Sequence, residues 1–157
     1  MYTGIIVADT ILSLAFSEKI DVTPMKLQKL TYCVYKDQLK RYGIRLFEEK
    51  FEKWKYGPVL CSVYHAYNNY GAKPITHYAG PSVTIIDLSY SSKESESFFY
   101  VWNRFKHYSA LELSDFTHMP GTAWQKASRY LKEEDIINEQ EYPERILSKH
   151  YRIQYKQ

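Results

Sequence analysis

With 157 residues, 45% of them hydrophobic, the chain is long enough to build one apolar core without disulfides or a structural metal. No run approaches the ~18 apolar residues of a membrane span, Met1-Tyr2-Thr3-Gly4 carries no basic secretory region, and two cysteines, Cys33 and Cys61, make no disulfide scaffold. The expectation is a soluble, reduced, cytoplasmic protein with one domain over 1–157, its core over about 5–135 and a charged extension over 136–157.

The net charge of +3 conceals two blocks. Residues 133–144 hold Glu133, Glu134, Asp135, Glu139, Glu141 and Glu144 with no base, and residues 145–157 hold Arg145, Lys149, Arg152 and Lys156 with no acid. Blocks of this kind are solvated faces or interaction arms. Sixteen tyrosines are the other oddity. They either replace aliphatic residues in the core or supply contact surface, since a tyrosine offers area at low entropic cost and a hydroxyl.

The elements follow in chain order. Ile5, Ala8, Leu12, Ala15 and Phe16 recur at three- and four-residue steps and predict a helix from Gly4 to Glu18. Thr23 is an N-cap with Pro24 at the first helical position, opening a second helix that runs to Tyr42 before Gly43. At 100° per residue, Leu27, Leu30, Thr31 and Val34 share one side of it and Lys26, Lys29, Lys36 and Lys40 the other. The lysine row is read as solvated or as meeting an acidic partner.

Alternation over 44–56 predicts a small β-hairpin ended by Gly57-Pro58, with Pro58 opening a third helix whose apolar face is Val59, Val63, Tyr67 and Tyr70. Residues 72–92 read as loop with one strand at Val83–Ile86. A fourth helix is expected from Lys93 to Tyr108, and a fifth, capped by Ser109, from Ala110 to Thr117. A sixth opens at Gly121-Thr122 and carries Ala123, Trp124, Ala127 and Leu131. The fold class is therefore mainly α: about six helices with a hairpin or two to three short strands.

Candidate chemistry is sparse. There is no phosphate-binding glycine loop, CxxC, HExxH or GxSxG. Cys61 and His65 have metal-like spacing but no third ligand nearby. Asp115 and His118 have the spacing of half a hydrolase triad, with Ser114 or Thr117 as nucleophile, and the same spacing suits a helix-end cap. The C-terminal bases would form one stripe on a helix, which suits phosphates, yet no nucleic-acid recognition signature accompanies them. The expectation is no enzyme, no metal, no cofactor, no membrane, and nucleic acid disfavoured.

Two strings are more specific than any periodicity. One is Met25-Lys26-Leu27-Gln28-Lys29-Leu30-Thr31-Tyr32, followed by Trp54-Lys55-Tyr56-Gly57-Pro58-Val59. The other is Leu113-Ser114-Asp115-Phe116-Thr117-His118, followed by Gly121-Thr122-Ala123-Trp124. In order and spacing they resemble the SocA-like family of phage-associated proteins, also called the Panacea antitoxin domain. The chain departs from the family at Ala123, where a proline commonly precedes the tryptophan. The resemblance implies an antitoxin that neutralises a cognate protein toxin by direct binding, in some members as an adaptor to a protease. The alternative is a mobile-element protein that binds another host factor: a defence component, a protease or nucleic acid. The motif residues Lys26, Leu27, Gln28, Lys29, Leu30, Trp54, Lys55, Tyr56, Gly57, Pro58, Thr117, His118 and Trp124 are scaffold or interaction residues on this reading. The candidate interaction surface is Lys26, Lys29, Lys36 and Lys40 with Arg145, Lys149, Arg152 and Lys156.

Overall fold

A computed structural model describes residues 1–143. The four C-terminal bases assigned to the interaction surface lie outside the described residues.

The local signals place the first two helices where the periodicity put them. Helix α1 spans Gly4–Glu18, with the Thr3 hydroxyl accepting from the Ile6 N–H at its start. Helix α2 spans Pro24–Tyr42, with Thr23 accepting from the Lys26 N–H and Gly43, at φ +66°, closing it in the left-handed conformation. Both caps satisfy donors or acceptors that a helix end leaves open.

Helix α2 is the axis of the molecule. It packs on α1 along one side, and on α4 (Lys93–Phe105), α5 (Ala110–Thr117), the hairpin, α3 (Cys61–Tyr67) and α7 (Glu133–Ile137) around the rest. Its leucines meet Leu12, Phe98, Trp102 and Phe116 in one continuous core. Tyrosines help to fill that core: Tyr32 and Tyr35 pack edge-on against Phe51, with ring centroids 5.0 and 5.4 Å apart.

The β element is a hairpin of β1 (Glu52–Trp54) and β2 (Gly57–Val59), antiparallel, pairing Glu52 with Val59 and Trp54 with Gly57 across the Lys55-Tyr56 turn. Here the structure corrects the sequence reading. Gly57 and Pro58 belong to the second strand, and the third helix starts at Cys61, not at Pro58. Pro58 has no N–H to offer a ladder, which an edge strand tolerates. Helix α3 runs on as a single 3-10 turn over Asn68–Tyr70 before Gly71.

Three further boundaries move. Val83–Ile86 forms no strand: Ile86 is buried and its N–H donates to the Thr10 hydroxyl, while Val83 and Ile85 are exposed. Helix α4 stops at Phe105, three residues before Tyr108. The sixth helix is one turn, α6 (Ala123–Lys126), and the chain beyond it extends along β1. There the Lys53 N–H donates to the Arg129 carbonyl at 2.8 Å, and the Leu131 N–H to the Phe51 carbonyl at 2.9 Å. The open edge of β1 needs such partners, and this demand outweighs the helical period of Ala127 and Leu131. The fifth-helix signal holds: Ser109 caps α5, and the structure adds Glu112, which closes a capping box. The architecture is mainly α with a small hairpin. Among the described residues no helix is long and apolar enough to cross a membrane.

Candidate functional site

A hairpin of two three-residue strands cannot satisfy its own turn. Carbonyls at and around Lys55-Tyr56 lack ladder partners, and burying them unpaired would be costly. The motif residues meet this need. From α5, the Ser114 hydroxyl donates to the Tyr56 carbonyl at 2.6 Å, and His118 Nε2 lies 2.7 Å from the Lys55 carbonyl. From α6, Trp124 Nε1 donates to the Trp54 carbonyl at 2.7 Å. From α2, Lys29 Nζ donates to the Pro58 carbonyl at 3.0 Å. Gln28 does the work of a third strand, its amide donating to the Leu60 carbonyl at 3.1 Å and accepting from the Leu60 N–H at 2.9 Å. Three helices, distant in sequence, thus clamp the hairpin backbone between Trp54 and Leu60.

The electrostatics of the clamp are set by burial. Lys29 is 1% exposed, and burial draws its ammonium down to about 7. Burial also pushes the His118 imidazole below its ordinary value, while the Ser114 and Lys55 carbonyls pull it back up. Its ring sits 3.8 Å, centroid to centroid, from that of Trp124. Lys53 Nζ lies over the same indole at 4.6 Å and donates to the Gln125 and Ala127 carbonyls.

This arrangement absorbs the groups that had triad spacing. Asp115 is fully buried, Ser114 is held by Tyr56, and the Thr117 hydroxyl donates to the Ser114 carbonyl at 2.7 Å. His118 Nδ1 lies 2.6 Å from the Ser114 carbonyl and 3.3 Å from the Thr117 hydroxyl, which is itself bonded to that carbonyl, so both ring nitrogens sit against backbone oxygens. Cys61 donates to the Glu52 carboxylate at 2.5 Å, and that bond with burial pushes its thiol up to about 11. Among the described residues there is no group of three possible metal ligands.

The lysine row needs correction. It is not one solvated stripe: Lys26 is 7% exposed and donates to the Lys106 carbonyl, Lys29 is buried in the clamp, Lys36 is half-buried, and Lys40 alone of the four is exposed. Lys36 pairs with Glu139 at 3.0 Å, and Lys40 donates to the Glu139 carbonyl. The cause is the wrapping of α2 on nearly all sides, which leaves its long cationic stems to reach backbone oxygens and one carboxylate. Trp54 is half-buried and lies against Tyr64 at 4.7 Å.

Glu139 is the residue that sequence reasoning missed. It sits in the acidic block, yet is 2% exposed. Its carboxylate accepts from the Tyr32 hydroxyl at 2.6 Å, from Lys36, and from the Ala123 N–H at 2.9 Å. The available signal was its three-residue spacing from Ile136 and Tyr142, both buried. Other acids of the block also find bases in the body of the protein: Glu133 pairs with Arg45 at 2.6 Å and Glu141 with Arg104 at 3.2 Å.

Beside the clamp, a groove of about 290 Å³ opens between the start of α2, the hairpin and α3. Met25, Trp54, Tyr56, Val63 and Tyr64 give it an apolar lining, with Lys29 and Lys55 in its wall.

No curated protein and no solved structure matches the chain. The family model described as antitoxin SocA-like, Panacea domain, matches residues 27–125, which span α2 to α6 and so contain the hairpin and every helix that clamps it. The chain belongs to the SocA-like, Panacea-domain antitoxin family.

Proposed function

We propose that this protein is a cytoplasmic, non-catalytic antitoxin that neutralises a cognate protein toxin by direct contact. The observation that carries the reading is the family match over residues 27–125. The site chemistry supports it. Ser114, Thr117 and His118, which catalysis would need at a cleft, are turned onto backbone carbonyls of the clamp. What the fold offers instead is a backbone held rigid beside an aromatic groove, which suits recognition, since a pre-organised surface loses little entropy on binding.

The test is co-expression with the polypeptide encoded by the adjacent reading frame. The expected result is growth arrest by that polypeptide alone, rescue by this protein, and co-purification of the two. Rescue without any complex, or no rescue, would overturn the proposal. Toxin levels decide the mode of action: constant toxin means masking, whereas toxin lost only in protease-competent cells means that this protein hands it to a protease.

A further inference from the structure

The groove beside the hairpin has the chemistry of an interface anchor. Tyr56 and Tyr64 on its rim are 38% and 37% exposed, and the Trp54 ring rests on Tyr64 at 4.7 Å. Tryptophan and tyrosine around a pocket are the side chains that dominate binding energies at protein interfaces. The walls are held in place before any partner arrives, because the carbonyls of Trp54, Lys55, Tyr56 and Pro58 are each taken by α2, α5 or α6.

The charge of the groove is one-sided. Lys29 and Lys55 line it, and among the described residues no carboxylate does. Lys29 Nζ carries three donors, and among the described residues its hydrogen-bond acceptor is the Pro58 carbonyl. Among the described residues, none of the ion pairs includes Lys29. A buried ammonium in that position is stabilised by an anion brought to it with the water excluded. Burial draws this amine to about 7, so a protonated fraction is present at neutral pH to receive one.

We infer that this groove is where the partner protein docks, inserting an apolar side chain against Trp54 and Tyr64 with a carboxylate set beside it toward Lys29 and Lys55. The inference rests on the reading of the protein as an antitoxin that works by direct contact, and adds the surface and the chemistry of what it accepts. A cationic apolar groove selects an anionic apolar segment over a basic one.

The experiment measures the affinity of the purified polypeptide from the adjacent reading frame for the full-length protein and four variants. Tyr64→Ala removes the anchor, and the expected loss is about tenfold or more. Lys55→Glu reverses an exposed charge without touching the core. It should weaken binding several-fold, with the loss shrinking as salt rises beyond ~0.15 M. Lys29→Met should weaken binding while leaving the groove apolar. Tyr90→Ala, at a residue 62% exposed that does not line the groove, should bind as wild type does. Wild-type affinity in Tyr64→Ala and Lys55→Glu together overturns the inference and leaves the antitoxin reading standing. No binding by the wild type overturns the antitoxin reading, and the groove inference falls with it. If the wild type self-associates on a sizing column and Tyr64→Ala does not, the occupant is a second copy of this chain, and the inference is overturned.

Discussion

Lys29 lies directly against Gly57: a Cβ built on that glycine would come 2.7 Å from Lys29 Cε, and 2.6 Å from the Thr117 hydroxyl on the other side. Gly57 also has φ +122°, a conformation L side chains rarely adopt. Helices α2 and α5 therefore close on the hairpin only because this position carries no side chain. The glycine of the Trp54–Val59 string is a packing requirement, and its neighbours in the motif are what it packs against.

Gly57→Ala should accordingly destabilise the protein by about 2–4 kcal/mol, combining backbone strain with overpacking. Thermal unfolding is the measurement. A melting temperature equal to wild type would show that the clamp is looser than the structure draws it.

Glu139 should be worth more than its place in an acidic run suggests. Removing it in Glu139→Ala leaves the buried Tyr32 hydroxyl and the half-buried Lys36 without their acceptor, and breaking such a pair should cost about 2–4 kcal/mol. Glu139→Gln keeps an acceptor and should lose less. Urea denaturation of the two variants checks the order, and equal, small losses would mean that water replaces the carboxylate easily.

The tryptophans should separate. Trp102 is 2% exposed, with its Nε1 donating to Glu18 at 2.7 Å, and Trp102→Ala should cost about 3–5 kcal/mol as a core deletion. Trp54, half-buried at the groove, should cost about 1–2 kcal/mol in Trp54→Ala. Comparable melting temperatures for the two variants would show that the hairpin is as much core as α4 is.

Stability should rise with pH from about 6 to about 9 and level off beyond. Lys29 titrates near 7 when folded, against ~10.4 for an exposed lysine, so between these values the unfolded chain binds more protons and folding gains as pH rises. The slope from one group is at most about 1.4 kcal/mol per pH unit. His118, lowered by burial, adds a gain in the same direction as pH rises through the ordinary imidazole range. Cys33 opposes them at the alkaline end: burial raises its thiol from 9.0 to about 11, so its contribution is lost across that window. Lys29→Met should flatten the rise between pH 7 and 9. A wild-type optimum at or below pH 6 would mean that the ammonium is better solvated than its burial implies.

Much of the fold was legible because its signals are local. Thr23-Pro24 and Gly43 bound α2, Ser109 opens α5, and three- and four-residue apolar steps mark α1 and α4. Each depends on a few neighbouring residues whose backbone groups need capping or whose side chains share a face. The motif strings were equally visible, and the family match over residues 27–125 contains most of them.

What those residues do was decided only in three dimensions. Helical projection put Lys26, Lys29, Lys36 and Lys40 away from the leucines, but it carried no information on how many elements would wrap α2. Once α4, α5, α7 and the hairpin surround it, Lys26 and Lys29 become interior as well, and each buried ammonium must find an oxygen. The same holds for Gln28, Ser114 and Trp124. Their hydrogen bonds answer unpaired carbonyls 30 to 70 residues away in the chain, a demand created by a hairpin too short to satisfy its own turn. Periodicity and caps are properties of the segment, so the sequence determined them alone. Burial of charge and the pairing of backbone groups belong to whatever packs against the segment, and only the tertiary structure supplies that.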